Sequence, residues 1–147
     1  MNNTINIADS INVDKITRGY VIDHIKAGYG MRIYKQLKLD ELSDCSIALI
    51  QNVKSKKFGK KDLIKIQGSI KVDMNVLGYI DPNITVITIE NNKIKSKESL
   101  TLPQKLTGVI ACKNPRCITS VETGLTEEFT LSGNKKYRCV YCEQEFR

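Results

Sequence analysis

Short apolar segments alternate with polar turns along the first two thirds of the chain. Segments rich in β-branched residues predict strands at residues 20–25, 45–53, 62–70, 84–90 and 93–97. Within the third of these, Leu63 falls on one face and Ile64 and Ile66 on the other, as a two-residue period requires. The lysine-rich, glycine-containing stretch 54–61 predicts a loop between two of the strands.

Two further segments carry helical patterns. Met31, Tyr34 and Leu37 recur at three-residue spacing within residues 28–39, and residues 72–80 predict a short helix that Asp73 can cap. The resulting order of elements is β-α-β-β-α-β. That order predicts an α+β fold that begins with a ferredoxin-like domain, an antiparallel sheet with two helices on one face.

The last third of the chain has a different pattern. Residues 98–107 carry Pro103 and few large apolar groups, which is typical of a linker. Beyond it, single apolar residues alternate with polar ones, and this predicts a small β-rich domain. We therefore expect a flexible N-terminus at residues 1–9, one domain at residues 10–100 and a second at residues 101–147.

The second domain contains four of the five cysteines. Cys112 and Cys117 form a C-x4-C pair, and Cys139 and Cys142 form a C-x2-C pair. Two short pairs can bring four thiolates around one tetrahedral Zn²⁺, a closed structural site with no open position for catalysis. Two disulfides are the alternative, but an odd cysteine count and a start without a secretory pattern favour reduced thiols in the cytoplasm. Cys45 lies in an apolar run and is predicted to be a buried core thiol.

Charge and composition narrow the class of function. The formal net charge of +7 favours an anionic partner. Residues 54–65 hold six Lys against one Asp, whereas the segment from residue 104 has seven basic and five acidic residues. The alternative function, a nucleic-acid-binding zinc ribbon, would place the positive charge on the ribbon itself. No apolar run approaches the roughly 20 residues that span a bilayer. A single histidine leaves little for acid–base catalysis, so we expect neither a membrane protein nor an enzyme.

The polar pair Asp23 and His24 interrupts an otherwise apolar strand. One side chain can point to solvent while the other caps a neighbour. Alternatively, the pair can recognise a ligand, because a carboxylate accepts hydrogen bonds from a ribose and an imidazole donates to a phosphate. Lys65 belongs to a strand pattern, so it loses less side-chain entropy on meeting a phosphate than a loop lysine does.

Several segments occur together in a specific order. They are residues 16–25 (ITRGYVIDHI), residues 58–66 (FGKKDLIKI) and the cysteine pairs within CKNPRC and CVYCEQEF. Together they resemble the regulatory chain of aspartate carbamoyltransferase over essentially the whole chain from about residue 10. The resemblance implies a non-catalytic subunit that dimerises through its N-terminal domain and binds nucleoside triphosphates there. CTP and UTP would inhibit, ATP would activate, and the zinc domain would dock on the catalytic chain of pyrimidine biosynthesis.

The resemblance also implies roles for individual residues. The phosphates would be contacted by His24, Lys97 and Lys61, and the ribose by Asp23 and Lys65. The base pocket would be lined by Ile16, Val21 and Ile89. Zinc would be held by Cys112, Cys117, Cys139 and Cys142, with Asn114 and Glu143 at the contact with the catalytic chain. Ile87 stands where many members carry an amide, and Asn92 where an aromatic is common. These two departures leave the preferred nucleotide open.

Overall fold

The computed structural model describes residues 16–56 and 59–146. The chain divides into two compact units, Met1–Thr101 and Leu102–Arg147. The predicted flexible stretch at residues 1–9 lies outside the described residues. No helix in the described ranges is long and apolar enough to cross a membrane.

The first unit is a five-stranded antiparallel sheet with two short helices. Its elements are β1 (Gly19–Lys26), α1 (Gly30–Gln36), β2 (Ser46–Ser55), β3 (Gly59–Gln67), α2 (Met74–Ile80), β4 (Thr85–Glu90) and β5 (Lys93–Ser99). The strand order is β2-β3-β1-β4-β5, so the predicted ferredoxin-like arrangement is present, with β5 added beside β4. The prediction of an α+β fold is confirmed.

The lysine-rich stretch was wrongly predicted to be a loop. Strands β2 and β3 form a hairpin whose pairing continues to Ser55 opposite Gly59, and Lys54 lies opposite Lys60. Lys61 is therefore a strand residue. The hairpin end is exposed at Lys54 and Lys60, so its residues can all be polar, and a sequence pattern alone does not distinguish such strands from a loop.

One face of the sheet is covered by α1 and α2, and the main core lies there. Its fully buried members include Ile22 and Ile25 from β1, Ile64 and Ile66 from β3, and residues of both helices. The Asp73 side chain accepts hydrogen bonds from the backbone of residues 75 and 76, which caps α2 as predicted.

The predicted first helix is longer than the observed one. Helix α1 ends at Gln36, Lys38 adopts a left-handed conformation with φ of +54°, and Leu39–Glu41 form a 3₁₀ turn. Of the three periodic positions, Tyr34 and Leu37 pack against the main core, but Met31 is 43% exposed and the fully buried side chain of the helix is Ile33. The spacing therefore predicted the helix, but neither the side chain that it buries most nor the residue at which it ends.

The opposite face of the sheet, which we call the open face, carries a second apolar cluster. The cluster consists of Ile16, Val21, Leu63, Ile87 and Ile89, with Ile50 packed against it. Leu63 and Ile64 thus lie on different faces, as the alternation predicted. Among the described residues, neither helix contributes to this cluster, and each of its five members is at most 9% exposed.

The second unit is a small four-stranded sheet with one turn of helix. Its elements are β6 (Lys105–Thr107), α3 (Ile118–Val121), β7 (Glu128–Leu131), β8 (Tyr137–Cys139) and β9 (Glu145–Phe146), with strand order β6-β7-β8-β9. Leu106, Phe129 and Tyr137 are buried between them. The Tyr137 hydroxyl donates a hydrogen bond to the Pro103 carbonyl at 2.8 Å, which ties β8 to the segment before β6.

Candidate ligand site and metal centre

A β-bulge in β1 places the two polar residues Asp23 and His24. The register of β1 against β3 shifts between Ile22 and Ile25, and His24 has a φ of +58°. The extra residue keeps both isoleucines in the main core. Strict alternation from Ile22 would have placed His24 in the main core and Ile25 on the open face. The bulge therefore lets two consecutive polar side chains avoid the core.

Asp23 and His24 take part in a polar network at the end of the open face. The Asp23 Oδ1 atom accepts from the His24 backbone N–H at 2.6 Å and lies 2.9 Å from Lys61 Nζ. The His24 Nδ1 atom lies 3.1 Å from Thr85 Oγ1. The Asp23 and Lys61 side chains are each only 18% exposed, so salt and water screen the attraction between their charges less than in a fully solvated pair. This network holds a histidine, a lysine and a carboxylate in one place.

A row of four residues crosses the open face perpendicular to the strands. Val21 lies opposite Lys65 of β3 and Ile87 of β4, and Ile87 lies opposite Lys97 of β5. Residues paired across strands point to the same face, so the order is Lys65, Val21, Ile87, Lys97. Lys65 is buried and Lys97 is exposed. Since neighbouring strands lie about 4.8 Å apart, the two lysines are roughly 14 Å apart at the backbone.

This arrangement suits a ligand that is part apolar and part anionic. The apolar middle of the row can support a planar ring, and the lysines at its two ends can meet anionic groups. Ile16 and Ile89 extend the apolar area along the strands. The structure thus places the eight residues that are predicted to bind the nucleotide on one face of one sheet. Their role in binding stays a prediction.

The structure explains one of the two departures from the family pattern. Asn91 and Asn92 both have positive φ, +52° and +63°, and form the tight turn between β4 and β5. Such a two-residue turn favours asparagine. The Asn92 N–H also donates to the Thr17 carbonyl at 3.1 Å. Ile87, the other departure, is a buried member of the open-face cluster.

Sequence reasoning missed Thr85, which contacts His24. The alternation of Thr85 with Ile87 and Ile89 along β4 is the signal that could have placed it on the open face. It also missed Asp62, a fully buried carboxylate in β3. No local pattern marks Asp62, because its backbone partners lie 10 to 34 residues away in sequence.

The four cysteines of the second unit converge on one point. All their Sγ atoms lie within 4.8 Å of one another, with Cys112 and Cys142 at 3.7 Å and Cys117 and Cys139 at 3.8 Å. A tetrahedral metal with bonds of about 2.3 Å to sulfur sets its ligands about 3.8 Å apart. The thiols are free rather than joined as disulfides. This donor set and spacing fit a closed four-thiolate metal site.

Hydrogen bonds around the sulfurs prepare two of them to be thiolates. The Thr119 hydroxyl donates to Cys117 Sγ at 3.1 Å and lowers the pKa of that thiol. The Gln144 backbone N–H lowers the pKa of Cys142 to about 7. Burial raises the pKa of Cys112 to about 12, so an entering metal ion must displace its proton.

The surface beside the metal centre is apolar. Ile118 and Val121, just after Cys117, and Tyr141, between the last two cysteines, are 47%, 71% and 42% exposed. Asn114 lies in the first cysteine pair, where its side chain hydrogen-bonds Cys142 Sγ and accepts from the backbone of residue 116. This surface is therefore shaped by the same turns that hold the sulfurs.

Comparison with known proteins gives matches over both units. Residues 11–101 match the family model described as aspartate carbamoyltransferase regulatory chain, allosteric domain, and residues 104–147 match the metal binding domain of the same chain. A regulatory chain of this enzyme from Clostridium botulinum strain Hall is 50% identical over 136 residues, which cover 91% of this chain and 92% of the relative. One from Clostridium acetobutylicum is 46% identical (93% and 94%), and one from Bifidobacterium longum is 40% identical (90% and 96%).

Proposed function

The chain belongs to the aspartate carbamoyltransferase regulatory chain family, whose members are non-catalytic subunits, and we propose that it binds nucleoside triphosphates to control the catalytic chain in pyrimidine biosynthesis. The observation that carries this proposal is the row of Lys65, Val21, Ile87 and Lys97 across the open face. CTP, UTP and ATP share what the row can bind, a planar base joined to a polyanion.

The proposed binding mode assigns each part of the nucleotide to a part of the open face. The base lies on the apolar area of Ile16, Val21 and Ile89. The ribose hydroxyls donate hydrogen bonds to Asp23 or accept them from Lys65. The phosphates extend to the polar network, where His24 and Lys61 donate, and to Lys97 at the β5 end. The Asp23–Lys61 ion pair supports this assignment, because it fixes the direction of both side chains before a ligand arrives.

Control of the catalytic chain requires that the nucleotide bind the two states of the assembly unequally. Coupling free energies of this kind are typically about 1–3 kcal/mol, a factor of 5–150 in affinity. A nucleotide that bound both states equally would regulate nothing. We place the second unit as the link to the catalytic chain, with its exposed apolar residues and Asn114 and Glu143 in the contact.

The metal is proposed to be one structural Zn²⁺ held by Cys112, Cys117, Cys139 and Cys142. The sulfur spacing and the closed shell support this assignment. The proposal also includes dimerisation of the chain through its first unit and a cytoplasmic location, where thiols remain reduced. Metal analysis of the purified chain tests the identity of the ion, with one zinc per chain expected and stoichiometric iron contradicting it.

Calorimetry on the full chain tests nucleotide binding. We expect CTP to bind more tightly than either cytidine or tripolyphosphate, because only CTP uses both the apolar area and the cations. Binding should weaken as salt rises, since exposed charges are screened within about 10 Å at 0.1 M. Equal affinity for CTP and tripolyphosphate would mean that the site binds only the phosphates, through its positive charge. Tighter binding of a single-stranded oligonucleotide than of any nucleotide would favour the nucleic-acid alternative.

A further inference from the structure

Asp62 is a charged group in an unusual place. Its side chain is fully buried in β3, on the face covered by the helices, and no ion pair to it is found among the described residues. The carboxylate instead accepts three backbone hydrogen bonds: from Gly28 at 3.0 Å, from Gly30 at 2.9 Å and from Asn52 at 3.0 Å. A buried carboxylate needs such partners, because an unpaired charge in the core is strongly unfavourable.

These three bonds join β2 to the turn that follows β1. Strand β2 has its own bulge between Ile50 and Val53, where Asn52 adopts a φ of +60°. Its N–H, displaced from the regular ladder, donates to Asp62 Oδ1. On the other side, Asp62 Oδ2 holds Gly28 and Gly30, which follow the β1 bulge by a few residues. One carboxylate therefore fastens the bulge of β2 on one side of its strand and the turn after β1 on the other.

The packing around Gly30 shows how closely this contact is fitted. A Cβ atom at Gly30 would lie 2.8 Å from Asp62 Oδ2, 2.9 Å from Leu49 Cδ1 and 3.0 Å from Asp62 Cβ. Helix α1 also begins without a side-chain cap from its own N-cap residue, Tyr29. Asp62 thus serves as a cap supplied from a distant strand, and it fixes where the chain turns after β1.

We propose that Asp62 is a positioning residue for the ligand site: it holds the turn that follows the β1 bulge, and so fixes the bulge that presents Asp23 and His24 to the nucleotide. The part that concerns the nucleotide rests on the proposed function, whereas the placement of His24 does not. Asp62 itself lies on the opposite face of the sheet from the open-face residues, so it acts only through the backbone it holds.

The variant Asp62→Asn keeps the volume of the side chain and changes its charge and its hydrogen bonding. An amide has one acceptor oxygen, and its NH₂ group would face an N–H donor, so either the β2 bulge or the turn after β1 loses its partner. The control is Asp73→Ala, which removes another carboxylate that accepts two backbone N–H groups, at the start of α2 and away from both bulges. Both variants lower thermal stability, so stability alone does not distinguish them.

His24 is the only histidine in the chain, so the Hε1 proton of its ring gives a single, assignable NMR signal in the full-length protein. We expect Asp62→Asn to shift that signal at fixed pH and to weaken CTP binding by about tenfold, the factor expected for a lost charge-assisted contact. Asp73→Ala should leave both unchanged. An Asp62→Asn protein with wild-type His24 shifts and CTP affinity within twofold of wild type would overturn the proposal.

A second variant guards against misfolding. Gly30→Ala displaces the same carboxylate and should move the His24 signal in the same direction, so it decides the question if Asp62→Asn does not fold. If Gly30→Ala folds with an unmoved His24 signal, Asp62 is not a positioning residue. If the His24 signal moves in the variants but wild-type protein binds no nucleotide, the placement of His24 stands and the proposed function fails.

Discussion

Loss of the metal should unfold the second unit and leave the first unit intact. The perturbation is Cys112→Ser, or removal of the ion with a strong chelator. Among the described residues of the second unit, the fully buried large side chains apart from the cysteines are Leu106, Phe129 and Tyr137. Burial of each contributes about 1.5–3 kcal/mol. A structural zinc site contributes about 10–16 kcal/mol in small domains, more than this core.

The assay is an amide NMR spectrum of the full chain, with gel filtration against the catalytic chain. Without metal, signals from residues 102–147 should collapse to unfolded positions while those of the first unit stay dispersed. Binding to the catalytic chain should be lost together with them. Cys45→Ser is the matched control, because Cys45 lies in the first unit and outside the sulfur cluster. Dispersed amide signals for Phe129 and Tyr137 in metal-free protein would refute the reasoning.

Three further predictions concern single side chains. Lys97→Ala should weaken CTP binding by about 1.5–3 kcal/mol by calorimetry, the range for hydrogen bonds to charged groups. Lys95→Ala should leave the affinity for CTP unchanged, because Lys95 pairs with Glu90 instead. Equal losses of affinity in the two variants would indicate a general attraction between the lysines and the phosphates. Asp73→Ala should lower the free energy of unfolding of the first unit by about 1 kcal/mol in urea, as a lost helix cap does. Thr119→Val should speed metal loss to a chelator, because it removes the donor to a cysteine sulfur; an unchanged rate would make that bond irrelevant.

The strands and the faces of the sheet were predictable because burial repeats along the chain. Leu63 and Ile64 were assigned to opposite faces from alternation alone, and the two clusters agree. The cysteine pairs were equally readable, since a short spacing forces two sulfurs to one side of a turn. Both patterns involve residues that are close together in the chain, so a single sequence is enough to detect them.

The bulges and Asp62 were not predictable, because they depend on how separate strands pair. Asp23 and His24 could be read as a solvent-facing pair or as a ligand site. Only the shift in register between Ile22 and Ile25 shows why both leave the core. Likewise, Asp62 appears in sequence as one more polar residue after a run of lysines. Its partners become neighbours only when β1, β2 and β3 are side by side.

The two outer strands of the first unit differ in their consequences for self-association. Strand β5 (KIKSKES) is exposed at all but one of its residues and carries three lysines, whereas β2 has a single lysine and several half-buried apolar residues. Charged edges resist the addition of another strand. Copies of this chain that joined by strand pairing would therefore do so through β2 alone. Such an association ends at two copies and cannot grow into a fibre.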